Sequence, residues 1–432
     1  MSVSSATSRT FASLRRHRNY RLYFAGQVVS LSGTWMQNVA QAWFVLELTH
    51  GSAYAVGALA VCQFGPYALF GLFGGSLADR LNGRRALLFT QGALMCIAAA
   101  LAGLALTHSA QVWEVFLLAT AGGAVVIIDT PVRQAFTIQM VGRPELPNAI
   151  ALNSSLFNGS RIFGPAIAGL LIASTGVGIC FLINAASFIA VEVALLLMRE
   201  SELHPINRGH TRPTLLRGVG EGLGYAWRTP TVRLVLLLML VISTLGINFN
   251  VLLPLLASHT LGSGPEVFGF LSASFGVGAL AGALVSAALS RASIAVVLGG
   301  GLGFGASLLL LAPQRTVVGA CIVLVLTGVT FSLYASQSNS SLQMVVPDRL
   351  RGRVLSLYGY VFFGTAPVGG LFAGWMCGRF GTWLFLLVVG ATSVLATVAG
   401  VVSVRVRRTV LPDHRSRPGL GGADPTAVTA RE

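Results

Sequence analysis

The sequence contains no lysine, and acids are scarce: 29 basic residues, all arginine, stand against 14 Asp and Glu in 432 residues. Charged residues make up only 10% of the chain, where soluble domains carry roughly 25%. That poverty of solvating charge excludes a soluble enzyme built around a single core. Cysteine is also sparse. Cys62, Cys96, Cys180, Cys321 and Cys377 are odd in number, lie within apolar stretches and lack ligand spacing, which excludes a disulfide framework and a thiolate metal centre and leaves them as small core residues. All seven histidines fall in loops, tails or helix ends, so neither a zinc hydrolase nor a histidine proton relay fits. No metal or cofactor is expected. What the chain does have is apolar sequence: 54% hydrophobic residues and 51 glycines, the latter suited to close helix packing in lipid.

A bilayer core of about 30 Å needs about 20 apolar residues per helix. Twelve segments of that kind are expected, at about 21–47, 52–77, 86–106, 112–133, 149–173 and 178–198 in the first half and about 232–257, 266–289, 292–312, 316–340, 354–377 and 382–404 in the second. The first is long and follows a basic stretch without an A-x-A site, so it reads as a retained span and not a cleaved signal.

A net charge of +15 could indicate nucleic acid, but the arginines cluster in short loops on one side of the expected spans. Arg9, Arg15, Arg16, Arg18 and Arg21 precede the first span. Arg80, Arg84 and Arg85, Arg133 and Arg143, Arg291, and Arg349, Arg351 and Arg353 fall in later loops of the same side, whereas the opposite loops hold Arg315 and Arg379. This asymmetry is the positive-inside pattern of a multi-pass protein of the cytoplasmic membrane. It places both termini in the cytoplasm and gives no reason to expect nucleic acid as a partner.

The expected organisation is a cytoplasmic N-terminal segment (1–20), a six-helix bundle (21–198), a polar cytoplasmic linker (199–231), a second six-helix bundle (232–404) and a disordered tail (405–432). Within the linker, Leu215 to Arg228 could form an amphipathic surface helix. The halves echo each other: Gln139-Met140-Val141 matches Gln343-Met344-Val345, Gly51-Ser52 matches Gly262-Ser263, and Arg21-Leu22 matches Arg233-Leu234. With an even number of spans in each half, the repeats are parallel, the pattern of transporters whose substrate site lies between halves near the midplane. The fold class is therefore an all-α membrane protein with twelve transmembrane helices in two parallel-repeat six-helix bundles.

The loop Gly75-Ser-Leu-Ala-Asp79-Arg80-Leu-Asn-Gly-Arg84-Arg85 resembles the cytoplasmic signature between helices two and three of the major facilitator superfamily, with Asn82 where glycine is usual. Asp129-Thr-Pro131-Val-Arg133-Gln134, Asn148-Ala-Ile-Ala-Leu-Asn153, Arg161-Ile-Phe-Gly164-Pro165 and Val346-Pro347-Asp348-Arg-Leu-Arg351-Gly352-Arg353 resemble its branch of enterobactin exporters and related secretion proteins. The resemblance covers nearly the whole chain and implies export of siderophores, macrolides or other small molecules. It also implies that helices one, four, seven and ten surround the cavity. Asp79 would close a cytoplasmic gate with Arg133 and the helix beginning near Arg353, beside Arg80 and Arg84. Gly164-Pro165, with Gly159 and Gly169, resembles the helix-five motif of proton antiporters.

Polar residues inside lipid must face the bundle or a wet cavity. Gln27, Ser30, Thr34, Gln37 and Gln41 are spaced 3, 4, 3 and 4, one face of a helix, with Trp35 and Asn38 beside it. Segment ten offers Ser332, Ser336, Asn339 and Gln343, with Tyr334 and Gln337 nearby, and segment seven offers Asn248 and Asn250. These residues either line a pore or hydrogen-bond between helices. Read as a pore, they make a cavity of amides and hydroxyls with almost no charge, suited to a moderately polar organic solute. For proton coupling the candidates are Asp129, with Arg161 as its expected partner, and Glu192.

The expected function is export of a small organic molecule, siderophore- or antibiotic-like, by proton antiport, with the lipid bilayer, the solute and protons as partners and the monomer as the working unit. An importer or facilitator of the same fold is the alternative, and a non-transporting scaffold a weaker one. If Asp79 closes the inner gate, Asp79→Asn abolishes transport while the protein still reaches the membrane in normal amount; transport at the wild-type rate in that variant removes the gate role.

Overall fold

The computed structural model of the chain describes residues 12–78, 80–204, 215–289 and 292–410, and its regular elements there are all helical. The membrane helices are α1 (Arg18–Leu48), α2 (Ala53–Ala78), α3 (Gly83–Leu106), α4 and α5 as two arms of one helix (Val112–Thr175), and α6 (Val177–Leu196). Then come α7 (Pro230–Gly246, resuming as Phe249–Leu255 and a π-helical turn Leu256–Thr260), α8 (Pro265–Ala288), α9 (Ile294–Leu311), α10 (Val317–Val345), α11 (Asp348–Gly364 and Ala366–Phe380) and α12 (Thr382–Val410). Asp79, Arg291, residues 205–214 and the tail from 411 lie outside the described residues.

Among the described residues, ten helical stretches are long and apolar enough to cross a membrane. α1 has the length, 31 residues, but its amides and hydroxyls make it less apolar. The Val112–Thr175 helix has 64 residues and would measure about 96 Å if straight, far more than a bilayer core. It folds back at Gly142, whose φ of 69° breaks the helix, a conformation that glycine adopts without steric cost. This corrects the loop expected between 133 and 149. Pro144 and Pro147 fit the start of a helix, where a proline removes an N–H that has no intrahelical partner, so α5 begins directly after the break.

At the arginine-rich end, the first six helices are stitched together by hydrogen bonds. The Asn19 amide donates to the Arg199 carbonyl at 2.8 Å, and the Tyr20 hydroxyl donates to the Ala149 carbonyl at 3.0 Å. Arg84 donates to the carbonyls of Leu195 and Leu196 and to Glu200. The amphipathic helix Leu215–Arg228 is present as expected; its Glu221 ion-pairs with Arg353 of α11.

Two seams of small residues join the helices before the linker to those after it. Along α5 and α8, a Cβ built on Gly169 would stand 2.9 Å from the Gly269 Cα, and one on Gly269 would stand 2.6 Å from the Pro165 carbonyl oxygen. Along α2 and α11, a Cβ on Gly57 would stand 2.8 Å from the Gly370 oxygen and one on Gly374 2.7 Å from the Ala53 oxygen. Both seams lie toward the ends of these helices remote from the arginine clusters, so that end is closed backbone against backbone. Gly278 and Gly282 pack instead on Val325 and Val329 of α10.

Space decides the sign of substitution at these glycines. Gly374→Leu forces α2 and α11 apart, an overpacking cost of about 1–3 kcal/mol, and lowers the thermal midpoint of the purified protein in detergent. Gly103→Ala on α3, where a Cβ meets nothing within 4 Å, gains helix propensity of up to about 1 kcal/mol and does not lower it. A fall of equal size in both variants contradicts the seam.

Candidate functional site

The first polar centre lies within the first six helices. Asp129 on α4 is 3% exposed and ion-pairs with Arg133 one turn further along the same helix. Its Oδ1 accepts from the Thr90 hydroxyl at 2.8 Å and from the Gln91 amide at 2.7 Å, both on α3. The Arg133 guanidinium also donates to Gln27 on α1. One carboxylate and one guanidinium thus tie three helices together. This corrects the pairing expected between Asp129 and Arg161. The physical reason is spacing: residues four apart on a helix are neighbours, and Arg133 reaches Asp129 without leaving its helix. Arg133 is therefore engaged here, whatever Asp79 does outside the described residues. Glu192 on α6 has one buried carboxylate oxygen without a hydrogen-bond partner, close to where a Cβ on Gly92 of α3 would lie.

Most of the polar stripe on α1 faces other helices and not a pore. Gln27 accepts from Arg133, Gln37 accepts from Asn184 of α6 at 2.6 Å, and Gln41 accepts from Gln63 of α2 at 3.0 Å. Ser30 is buried, and the Thr34 hydroxyl donates to the Ser30 carbonyl at 2.9 Å. The same correction applies on α10. Gln337 accepts from the Ser293 backbone and donates to the Ser286 hydroxyl, and Tyr334 is fully buried against Gly300 of α9. Asn339 is half-buried and accepts from Gln343. Asn248 donates to the carbonyls of Thr244 and Leu245, where the interruption of α7 leaves acceptors free. Helical spacing identifies a shared face but not the neighbour that face meets.

A small cavity of about 40 Å³ lies between α1, α5, α7 and α8. Two of the expected residues line it, Asn38 from α1 and Asn250 from α7. Of the helices named by the resemblance, one and seven line this cavity, together with five and eight. The cavity is also not free of charge. Arg161 of α5 stands in its wall, its guanidinium carbon 5.6 Å from the Trp35 ring centre and 4.7 Å from that of Phe275. Sequence reasoning missed the aromatic face of α8, although Phe268, Ser272 and Phe275 are spaced 4 and 3 and Trp35 had stood out beside the stripe.

The remaining expected residues are distributed as follows. Pro165 lines the cavity, Gly164 packs on Trp35 and Ser32 of α1, and Gly169 forms part of the α8 seam. A Cβ on Gly159 would meet nothing within 4 Å. Arg84 and Arg353 make the contacts within the arginine-rich end described above, and Arg80 is exposed at the end of α2.

The profile of the transmembrane secretion effector family matches residues 8–420. The chain belongs to that family. It is a multi-pass membrane transporter of the major facilitator superfamily and not an enzyme. It is 27% identical over 395 residues to the multidrug efflux pump Tap of Mycolicibacterium fortuitum, covering 90% of this chain and 95% of that one. It is 28% identical over 352 residues to the enterobactin exporter EntS of Shigella boydii, covering 80% and 82%. Among solved structures, a POT family transporter in complex with 5-aminolevulinic acid superposes with a TM-score of 0.74 at 12% identity, over 89% of this chain and 96% of that one. That likeness shows the shared fold.

Removing one member of a buried ion pair leaves an uncompensated charge and costs about 3–5 kcal/mol. Arg133→Ala therefore destabilises the protein in detergent strongly, and adding Asp129→Asn to it recovers at least half of the loss in thermal unfolding. Additive losses in the double variant rule out the coupling.

Proposed function

We propose that this transporter exports a small organic molecule from the cytoplasm and is driven by protons moving inward. The observation that carries the reading is the cavity itself: it draws its walls from helices on both sides of the linker and lies beside seams that close the end remote from the arginines. The arginine asymmetry makes that closed end the outer one and both termini cytoplasmic, so the cavity loads from inside. Similarity to an efflux pump and to a siderophore exporter supports the outward direction. The chain works as a monomer, since the cavity is assembled within one polypeptide.

Coupling is assigned to Asp129. Its buried carboxylate is tied to α3 and to Arg133 on its own helix, and through Arg133 to Gln27 of α1, so protonation would free Arg133 and loosen the contacts of α4 with α3 and α1. Glu192 is the second candidate, because a half-buried acid with an unpartnered oxygen has a vacancy that a proton could fill. A single proton is sufficient for modest export: 100 mV supplies about 2.3 kcal/mol, a gradient of roughly fifty-fold.

The test uses the purified chain in liposomes loaded with a pH-sensitive dye, screened against catecholate siderophores and amphipathic antibiotics. Substrate-triggered proton movement is expected in wild type and in Glu192→Gln, and a loss of at least ten-fold in Asp129→Asn. Full flux in Asp129→Asn with loss in Glu192→Gln moves the coupling role to Glu192. Solute movement without any proton flux leaves a facilitator and removes antiport.

A further inference from the structure

We infer that the cavity binds its solute through an oxyanion, most simply a carboxylate, held by Arg161, with the aromatic or apolar body of the solute against Trp35 and Phe275. The inference deepens the proposed function and rests on reading this cavity as the transport path.

Arginine in the middle of a membrane protein is costly unless something compensates it. Among the described residues Arg161 has no ion-pair partner, and the acids that could have served are engaged or directed elsewhere. Asp129 holds Arg133. Glu47 accepts from the Trp43 indole at 2.6 Å. The Glu266 carboxylate lies against Gly264 at the start of α8, and that of Glu192 lies near Gly92 of α3. What compensates Arg161 is two aromatic faces, Trp35 from one half and Phe275 from the other. Such cation–π contacts contribute about 0.5–2 kcal/mol each, less than a matched carboxylate supplies.

A guanidinium carries five N–H donors in a planar fork that can receive a carboxylate through two parallel hydrogen bonds, and Arg161 stands in the cavity wall. The Asn38 and Asn250 amides add neutral polar groups, while Phe249, Leu253 and Phe268 make the rest of the wall apolar. Fixed cation, two amides and aromatic walls together describe a solute with one anionic end and a flat apolar body. A cationic amphiphile would meet Arg161 with like charge. A neutral solute would leave it uncompensated.

The full chain in lipid nanodiscs is titrated calorimetrically with three probes of one shape: 2-naphthoate, 2-naphthamide and 2-naphthylmethylamine. 2-Naphthoate is expected to bind at least ten-fold tighter than the amide, and the amine not to bind. Arg161→Gln lowers naphthoate affinity at least ten-fold and leaves naphthamide unchanged, and Arg161→Lys, which keeps the charge, retains the preference for the anion. Equal affinities for the three probes, no saturable binding of any, or unaltered naphthoate binding in Arg161→Gln overturns the inference. The Lys variant and the amide reference separate loss of the site from loss of folding. Binding is read without a gradient, so Arg161-dependent binding with no export removes the transport reading alone. Undiminished export by Arg161→Gln together with unchanged binding removes this inference alone.

Discussion

A bilayer core offers no water, so each charge placed in it must be matched by the protein itself. The described ion pairs show how this chain meets that constraint. Arg16–Glu145, Arg84–Glu200, Arg199–Glu202 and Arg353–Glu221 lie at the arginine-rich end, where solvent screens them and each contributes little. Asp129–Arg133 is different: its carboxylate is almost fully buried, and its remaining lone pairs and N–H groups are taken up by Thr90, Gln91 and Gln27. Because those partners come from α1 and α3, the arrangement that satisfies the charge also fixes the relative placement of three helices. A chain with only 14 acids has few places where this can happen, and it uses one of them at the centre of its first half.

The seams between α5 and α8 and between α2 and α11 depend on the opposite strategy. They hold no ion pair among the described residues and consist of glycines packed on the backbone of the facing helix, that of Pro165, Pro265 and Ala53 included. Contacts of that kind rest on dispersion over a close fit, and separating them strands no charge and no unsatisfied donor. That suits an interface which must open and close. The interruptions of α7 and α11 meet each other next to these seams: a Cβ on Gly369 of α11 would overlap the Thr244 carbonyl of α7, the same oxygen that accepts from Asn248. Asn248, which the sequence pattern offered as a substrate ligand, serves the break itself.

The apolar segments, their order, the one-sided arginines and the superfamily were legible in the sequence because each depends on composition or on a contiguous motif. The cavity was only partly legible. Gln37 and Gln41 obey the spacing of a pore stripe yet hydrogen-bond to α6 and α2, since amides are equally useful between helices and nothing local distinguishes the two. The Asp129–Arg133 pair was written in the chain as an i, i+4 spacing, but the resemblance assigned Arg133 to Asp79, and Arg161 was the expected partner of Asp129. The break at Gly142 was not legible as such: the segment bounds left residues 134–148 between two spans, whereas Pro144 and Pro147 stand in the first turns of α5. The common property of Trp35, Phe268 and Phe275, contact with a cavity that has a cation in its wall, exists only once α1, α5 and α8 are brought together.

The position of Arg161 gives the cavity a means of influencing the seam. Its side chain reaches the cavity, while its own carbonyl oxygen lies 3.0 Å from where a Cβ on Gly276 of α8 would be. One turn further on, Pro165 lines the same cavity and its carbonyl faces Gly269. The stretch of α5 that would feel a bound solute is therefore the stretch that closes against α8. A ligand can shift a conformational equilibrium only by as much as it prefers one state over the other. A solute held between Arg161 of α5 and Asn250 of α7 would have such a preference if opening of the α5–α8 seam changed the distance between those two groups. The charge that recognises the solute and the glycines that seal the path are thus carried by one helix, and movement of that helix joins binding to access.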